Sequence, residues 1–290
     1  MSAAPITPVG PATTRVDVSG ALRGVRPGLA LAFAIVGFFV VSALLPALLA
    51  PYDPFDVNLR DALQAPTLAH PLGTDQSGRD VLSRVIYGAR ESLYIGLAAT
   101  ALSLTIALVL GVAAGLSGKF TDGVINRFIE VLFAFPVLLL ALLFVTVFGA
   151  GTTTLIVAVG VGTAPGYARM IRGQVLAVKN SGYVEAAGAL GHSYPRIVRR
   201  HILPNAMRPL VVLLTLGVGQ AIVWASGLAF LGLGVAPPSP EWGAQLDAGR
   251  TYITQAWWLE VMPGLAIVWF ALALTAIGRW IQQRLEGGQR

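Results

Sequence analysis

The sequence predicts an all-α membrane protein with six transmembrane helices, on three observations. Charged residues make up 12% of the 290 residues and apolar residues 55%, whereas a soluble domain carries about 25% charge. Mean hydropathy is +0.72. Six apolar runs approach or exceed the roughly 20 residues a helix needs to cross a bilayer. They are continuous rather than alternating, and hydrocarbon admits only helices or closed barrels, so helices are expected.

Residues 1–27, rich in Pro, Thr, Ala and Gly, read as a disordered tail. The first span is expected over Gly28–Ala50, too long for the apolar core of a cleaved signal peptide. Residues 51–91 form a loop segment with a surface helix, in which Val81, Leu82, Val85 and Ile86 make an apolar stripe opposite Arg79, Asp80, Ser83 and Arg90. The core, 92–285, holds spans at Ser92–Leu116, Phe128–Gly149, Thr153–Ala168, Leu210–Leu233 and Val261–Gly278. The fourth contains Pro165 and continues through Tyr167 into a basic stretch. Small residues around Gly217, Ser226 and Gly234 suit close helix approach, and Pro237, Pro238 and Pro240 stiffen the following loop. Trp242, Trp257 and Trp258 are expected in an interfacial aromatic belt. Residues 286–290 form a short tail.

Orientation follows from the basic residues. With both termini cytoplasmic, fifteen Lys and Arg fall in inside segments and five (Arg60, Arg79, Arg84, Arg90 and Arg250) outside. That bias places the termini inside. The net charge of +6 is therefore topological, and no basic face with interleaved aromatics points to nucleic acid.

Several function classes are excluded by what the spans lack. They contain no Asp, Lys, Arg or His, and Glu130 sits near one end, so the ionisable relay of an ion-coupled carrier is missing. Gly118-Lys119 is followed by Phe120 rather than Ser or Thr, so there is no phosphate-binding loop. With no cysteine and three dispersed histidines, no metal site and no cofactor are expected. Neither a catalytic constellation nor the charged ring of a selective channel is present.

One polar stretch interrupts the apolar pattern: residues 185–205, EAAGALGHSYPRIVRRHILPN. Glu185, Ala186 and Ala187 favour helix and Gly191 breaks it. Pro195 opens a second short helix, with Ser193 as its cap. That helix, Arg196 to Ile202, puts Ile197, Arg200 and His201 on one side, and Pro204 ends it. The product is a helix–Gly–helix knob suited to another protein's groove.

The spacing of Glu185-Ala186-Ala187, Gly191 and Ile202-Leu203-Pro204 resembles the docking loop of ABC importer permeases, with His201 where that family often has Ile. Residues 70–96 and 226–250 are similar to segments of the C-type subunit of dipeptide, oligopeptide and nickel importers, and the resemblance spans residues 28 to 285. It implies a type I, MetI-like permease fold in a bacterial plasma membrane, and coupling of the 185–204 loop to ATP-hydrolysing subunits. Its partners would be a B-type permease, two ABC ATPase subunits, an extracytoplasmic solute-binding protein and membrane lipid. The chain itself would be no enzyme. Cargo would be di- or oligopeptides by alternating access, with nickel or another small solute as the alternative. Gln220 and Ser226 are candidate pathway or helix contacts.

Overall fold

A proline removes one of a helix's own backbone hydrogen bonds, and Pro46 and Pro136 mark two of the breaks in this fold. In a computed structural model, residues 27–287 are described. The tail expected over 1–27 lies outside them except for Pro27, which starts the first helix. At the other terminus the last helix runs on to Gly287.

The first apolar run divides at Pro46 into α1 (Pro27–Leu44) and a single turn, α2 (Pro46–Leu49). After an irregular segment comes α3 (Val81–Leu116), 36 residues long. The surface helix expected before Ser92 is not a separate element: its residues form the first turns of α3. The Asp80 carboxylate caps that helix, accepting from the amide of Ser83 at 2.7 Å.

The third expected span, Phe128–Gly149, is also corrected. Residues 119–148 form α4 (Lys119–Ala134) and α5 (Val137–Phe148), bent by 83° at Phe135–Pro136. Pro136 disfavours helical geometry at Phe135. With 12 residues, α5 is only about 18 Å long at 1.5 Å per residue. The fourth span grows instead: α6 (Thr152–Lys179) continues through Pro165 and past Tyr167.

Three short pieces follow, α7 (Gly182–Ala189), α8 (Tyr194–Ile197) and α9 (Leu203–Ala206), and then α10 (Leu210–Leu228), α11 (Trp242–Gly249) and α12 (Trp258–Gly287). Five helices, α10 counted with its extension to Leu233, are long and apolar enough to cross a membrane, and the α4–α5 pair makes six if taken as one bent span. Among the described residues there is no strand.

The centre of the bundle is α3 against α6, with α10 on α3 and α12, and α1 on α12 and α3. Close approach depends on absent side chains. A Cβ at Gly96 of α3 would stand 2.4 Å from Ile222 Cγ1 on α10, and one at Gly111 would stand 2.7 Å from the Ala168 carbonyl on α6.

The two ends of the bundle differ. One end, residues 51–92 with 234–260, is capped by a dense polar and aromatic network. Asp75 pairs with Arg79 (2.7 Å) and faces Arg84 (3.5 Å). Arg84 donates to the carbonyls of Pro54 (3.0 Å), Pro238 (3.3 Å) and Ser239 (3.0 Å). Trp242 is fully buried between Phe39 and Phe270, and its ring N–H donates to the Val85 carbonyl at 2.9 Å. Trp258 is buried too, donating to the Thr74 carbonyl at 3.0 Å. Trp242 and Trp258, expected in an interfacial belt, are thus buried and hydrogen-bonded inside the chain, and Trp257 is half-exposed. The other, open end carries residues 117–135 and 180–209.

Candidate docking site

The stretch at residues 182–206 folds from local rules. In α7, Glu185 sits in the first turn, where a carboxylate complements the helix dipole. The helix stops at Gly191, whose φ is +80°. The amide of Gly191 donates to the Gly188 carbonyl (2.9 Å) and that of His192 to the Ala187 carbonyl (3.2 Å). This is a Schellman stop, which requires a left-handed residue and favours glycine. Pro195 lies in the first turn of α8, as expected, but the Ser193 side chain makes no capping bond.

Beyond α8 the expectation is corrected. Residues Val198–Ile202 form a π turn, and helical structure continues through Pro204 to Ala206. The wider turn precedes Pro204, whose ring and missing N–H disturb the regular α-helical bonding there, and it brings residues five apart onto one face. Ile197 and Ile202 therefore share the buried side, while Arg200 is exposed and His201 half-buried.

Val184, Ala187, Ile197, Ile202 and Ala206 rest on Ile171 and Val175 of α6 and Ala107 of α3. Lys179 Nζ donates to the carbonyls of Gly115 (3.3 Å) and Leu116 (3.4 Å), and the Tyr194 hydroxyl donates to Leu116 (3.2 Å). These donors meet the negative end of α3. The opposite surface is bare: Leu190 is 78% exposed and Tyr194 52%. Of the residues expected to dock, Glu185, Ala186, Gly191 and Pro204 are exposed, Leu203 is half-buried, and Ala187 and Ile202 face inward as the base. The buried Nδ1 of His192 and Nε2 of His201 have no hydrogen-bond partner, and the two rings lie 6.2 Å apart.

Gln220 and Ser226 lie apart from this element, on α10. Gln220 is exposed, whereas Ser226 is buried against the first turn of α11, close to Gly243. Sequence reasoning missed the carboxylates at the capped end. Glu91 accepts from the hydroxyls of Thr152 (3.2 Å) and Ser239 (2.6 Å). Glu241 caps α11, accepting from the Ala244 amide (2.7 Å), and also accepts from the Ser92 hydroxyl (3.0 Å). Burial pushes the Glu241 carboxyl above its usual range, against the opposing bonds from Gly243, Ala244 and Ser92, and nearby Glu91 adds to the rise. The available signal was position, since both acids flank apolar runs. Among the described residues no group of three His, Cys, Asp or Glu could hold a metal.

Residues 107–290, which include the whole docking stretch, match the family described as "Binding-protein-dependent transport system inner membrane component". The chain belongs to that family. Its members are the transmembrane permeases of ABC importers, and ATP hydrolysis resides in a separate subunit. The di/tripeptide transport system permease protein DppC of Pseudomonas aeruginosa is 40% identical over 254 residues, covering 85% of this chain and 84% of that protein. The glutathione transport system permease protein GsiD of Pectobacterium atrosepticum is 38% identical over 239 residues, covering 82% and 79%. Among solved structures, an amino acid ABC transporter with histidines aligns with a TM-score of 0.58 at 19% identity, covering 70% of this chain and 94% of that one. The inward-facing MetNI methionine ABC transporter aligns at 0.54 and 21%, covering 68% and 96%. These two likenesses establish the type I permease fold.

Proposed function

We propose that this permease carries short peptides across a bacterial inner membrane, with residues 182–206 as the contact for the ATP-hydrolysing subunits. The observation that carries the docking reading is a rigid element with one face seated on α6 and α3 and the other left bare. Its Schellman stop and π turn fix its shape before any partner arrives, which lowers the ordering cost of binding. Two ATPase subunits, a B-type permease and an extracytoplasmic solute-binding protein complete the assembly. ATP-driven closure of the ATPases displaces the docking element, and the bundle alternates its access.

The open end faces the cytoplasm in this reading. Lys179, Arg196, Arg199, Arg200 and Arg208 cluster there, whereas Arg79 and Arg84 at the other end are offset by Asp75. The peptide cargo is supported by the relatives named for di- and tripeptide and for glutathione transport.

Uptake of labelled di- and tripeptides against nickel tests the cargo: peptide uptake is expected, and nickel uptake without peptide uptake contradicts it. The chain has no cysteine, so single cysteines report orientation without background. Ala236→Cys should react with an impermeant reagent in intact cells and Ser193→Cys should not. The reverse pattern removes the docking assignment along with the orientation.

A further inference from the structure

The α4 helix is held by one narrow stripe. Asp122, Asn126, Ile129 and Phe133, at spacings of four, three and four, share one helical face. Ile129 is its only buried residue, while Phe120 and Phe128 on its other faces are exposed. Two arginines one turn apart on α6 meet this stripe. Arg172 grips Asp122 in a bidentate pair, Nε to Oδ1 and Nη2 to Oδ2, both at 2.6 Å. The Asn126 amide, assigned from the network, turns its oxygen to the same guanidinium, 3.3 Å from Nε and 3.2 Å from Nη2. Arg169 lies over the Phe133 ring, 4.4 Å from its centroid. One arginine thus holds the start of α4 and the other its end.

The α6 helix is the rod that carries both arginines, and Asn180 and Ser181 alone separate it from the docking helix α7. On its far side α4 is hinged, since the 83° break at Phe135–Pro136 frees it from following α5. Without the arginine clamp, α4 would be attached to the rod only by apolar packing, chiefly that of Ile129 and the half-buried Ile125. We infer that Arg169 and Arg172 are positioning residues that lock α4 to α6, so that movement of the docking element is delivered to the α4–α5 pair instead of being lost at the hinge. This rests on the docking reading above.

Spin labels at Phe120→Cys on α4 and Thr153→Cys near the start of α6, both exposed positions, measure the coupling directly. The experiment uses the assembled permease–ATPase complex in nanodiscs, without nucleotide and trapped with ATP and vanadate. The distance distribution should be the same in both states, and Asp122→Asn should make it broaden and shift with nucleotide. Transport per ATP hydrolysed should fall about tenfold in Asp122→Asn, the scale of a lost coupling between sites. It should recover in the Asp122→Arg/Arg172→Asp exchange. A stabilising role alone would lower assembly and leave that ratio unchanged. Arg172→Lys, which keeps the charge but loses the fork, should show an intermediate ratio and covers the case in which Asp122→Asn fails to fold. A nucleotide-dependent shift in the otherwise unaltered protein, or a normal ratio in Asp122→Asn, overturns the inference. If the ATPases do not shield a cysteine placed at Leu190, the docking reading fails instead, whatever α4 does.

Discussion

At the capped end, residues that look polar in sequence are buried and paired, and at the open end, residues that look ready to be buried are bare. Asp75, Arg79, Asp80 and Arg84 are all under a tenth exposed, and the carbonyls around Arg84 are met by its guanidinium. By contrast, Phe120 is 85% exposed and Leu190 78%. The network around Arg84 and Trp242 at the capped end is completed within one chain, through bonds between residues about 150 positions apart, although Leu59 and Leu68 beside it are exposed. The open end provides a firm base and leaves its outer face bare, the face that the proposed function assigns to other subunits. Exposed apolar surface of this kind marks contact with lipid or protein.

Mutations should separate the two ends sharply. Arg84→Met removes every donor to three carbonyls at the capped end. It should cost about 3–5 kcal/mol, the usual effect of breaking a buried charge network from one side. Thermal unfolding of the purified permease in detergent measures it, and a loss below about 1 kcal/mol would mean that water reaches the site.

Adding one methyl group draws the same contrast at smaller scale. A Cβ at Gly88 would meet the Pro240 carbonyl at 2.1 Å, and one at Gly123 meets nothing within 4 Å. Gly88→Ala should destabilise by about 1–3 kcal/mol through overpacking. Gly123→Ala, inside α4, should stabilise by about 0.5–1 kcal/mol through helix propensity. Equal effects at both positions would erase the distinction between the ends.

The smallest expected effect is a pH slope at the capped end. The Glu241 carboxyl is raised above the ordinary value of 4.5 by burial, so the folded chain binds that proton more tightly than the unfolded chain. Its contribution is fully present below 4.5 and is lost as pH rises through the raised value. The unfolding temperature should therefore carry a component that falls with rising pH, and Glu241→Gln should remove it. An unchanged slope in that variant would place the titration elsewhere.

These contrasts explain what the sequence could disclose. Span positions were legible because hydrocarbon demands long apolar runs, and the stop at Gly191 because a Schellman turn is a local rule. The capped end was misread for a physical reason. Arg79, Asp80 and Ser83 give the same helical periodicity whether their polar face meets water or a distant loop. The break in the third span was marked by Pro136, yet an apolar run reads continuously across it. The π turn left a weaker trace, since nothing local shows that Ile197 and Ile202 share a face until the helix is seen to pass Pro204. The Asp122–Arg172 pair joins residues 50 positions apart on two helices, a relation that no single window contains.

The central claim is that the bare face of residues 182–206 is made for the ATPase subunits, and Gly191→Asp tests it most directly. The site is open on its own chain, with no atom within 4 Å of an added Cβ, and aspartate is among the residues that enter left-handed geometry most readily. The left-handed φ should still cost the permease about 1 kcal/mol with any side chain there, equally for aspartate and asparagine, while an added charge facing a preformed groove should prevent retention. The measurement is co-purification of the ATPase subunits with tagged Gly191→Asp and with Gly191→Asn, which takes the same backbone geometry without charge. The account predicts that the Asn variant retains the ATPases and the Asp variant loses them, the two permeases having the same unfolding temperature. Retention of the ATPases by Gly191→Asp at the level of the unaltered protein would contradict it.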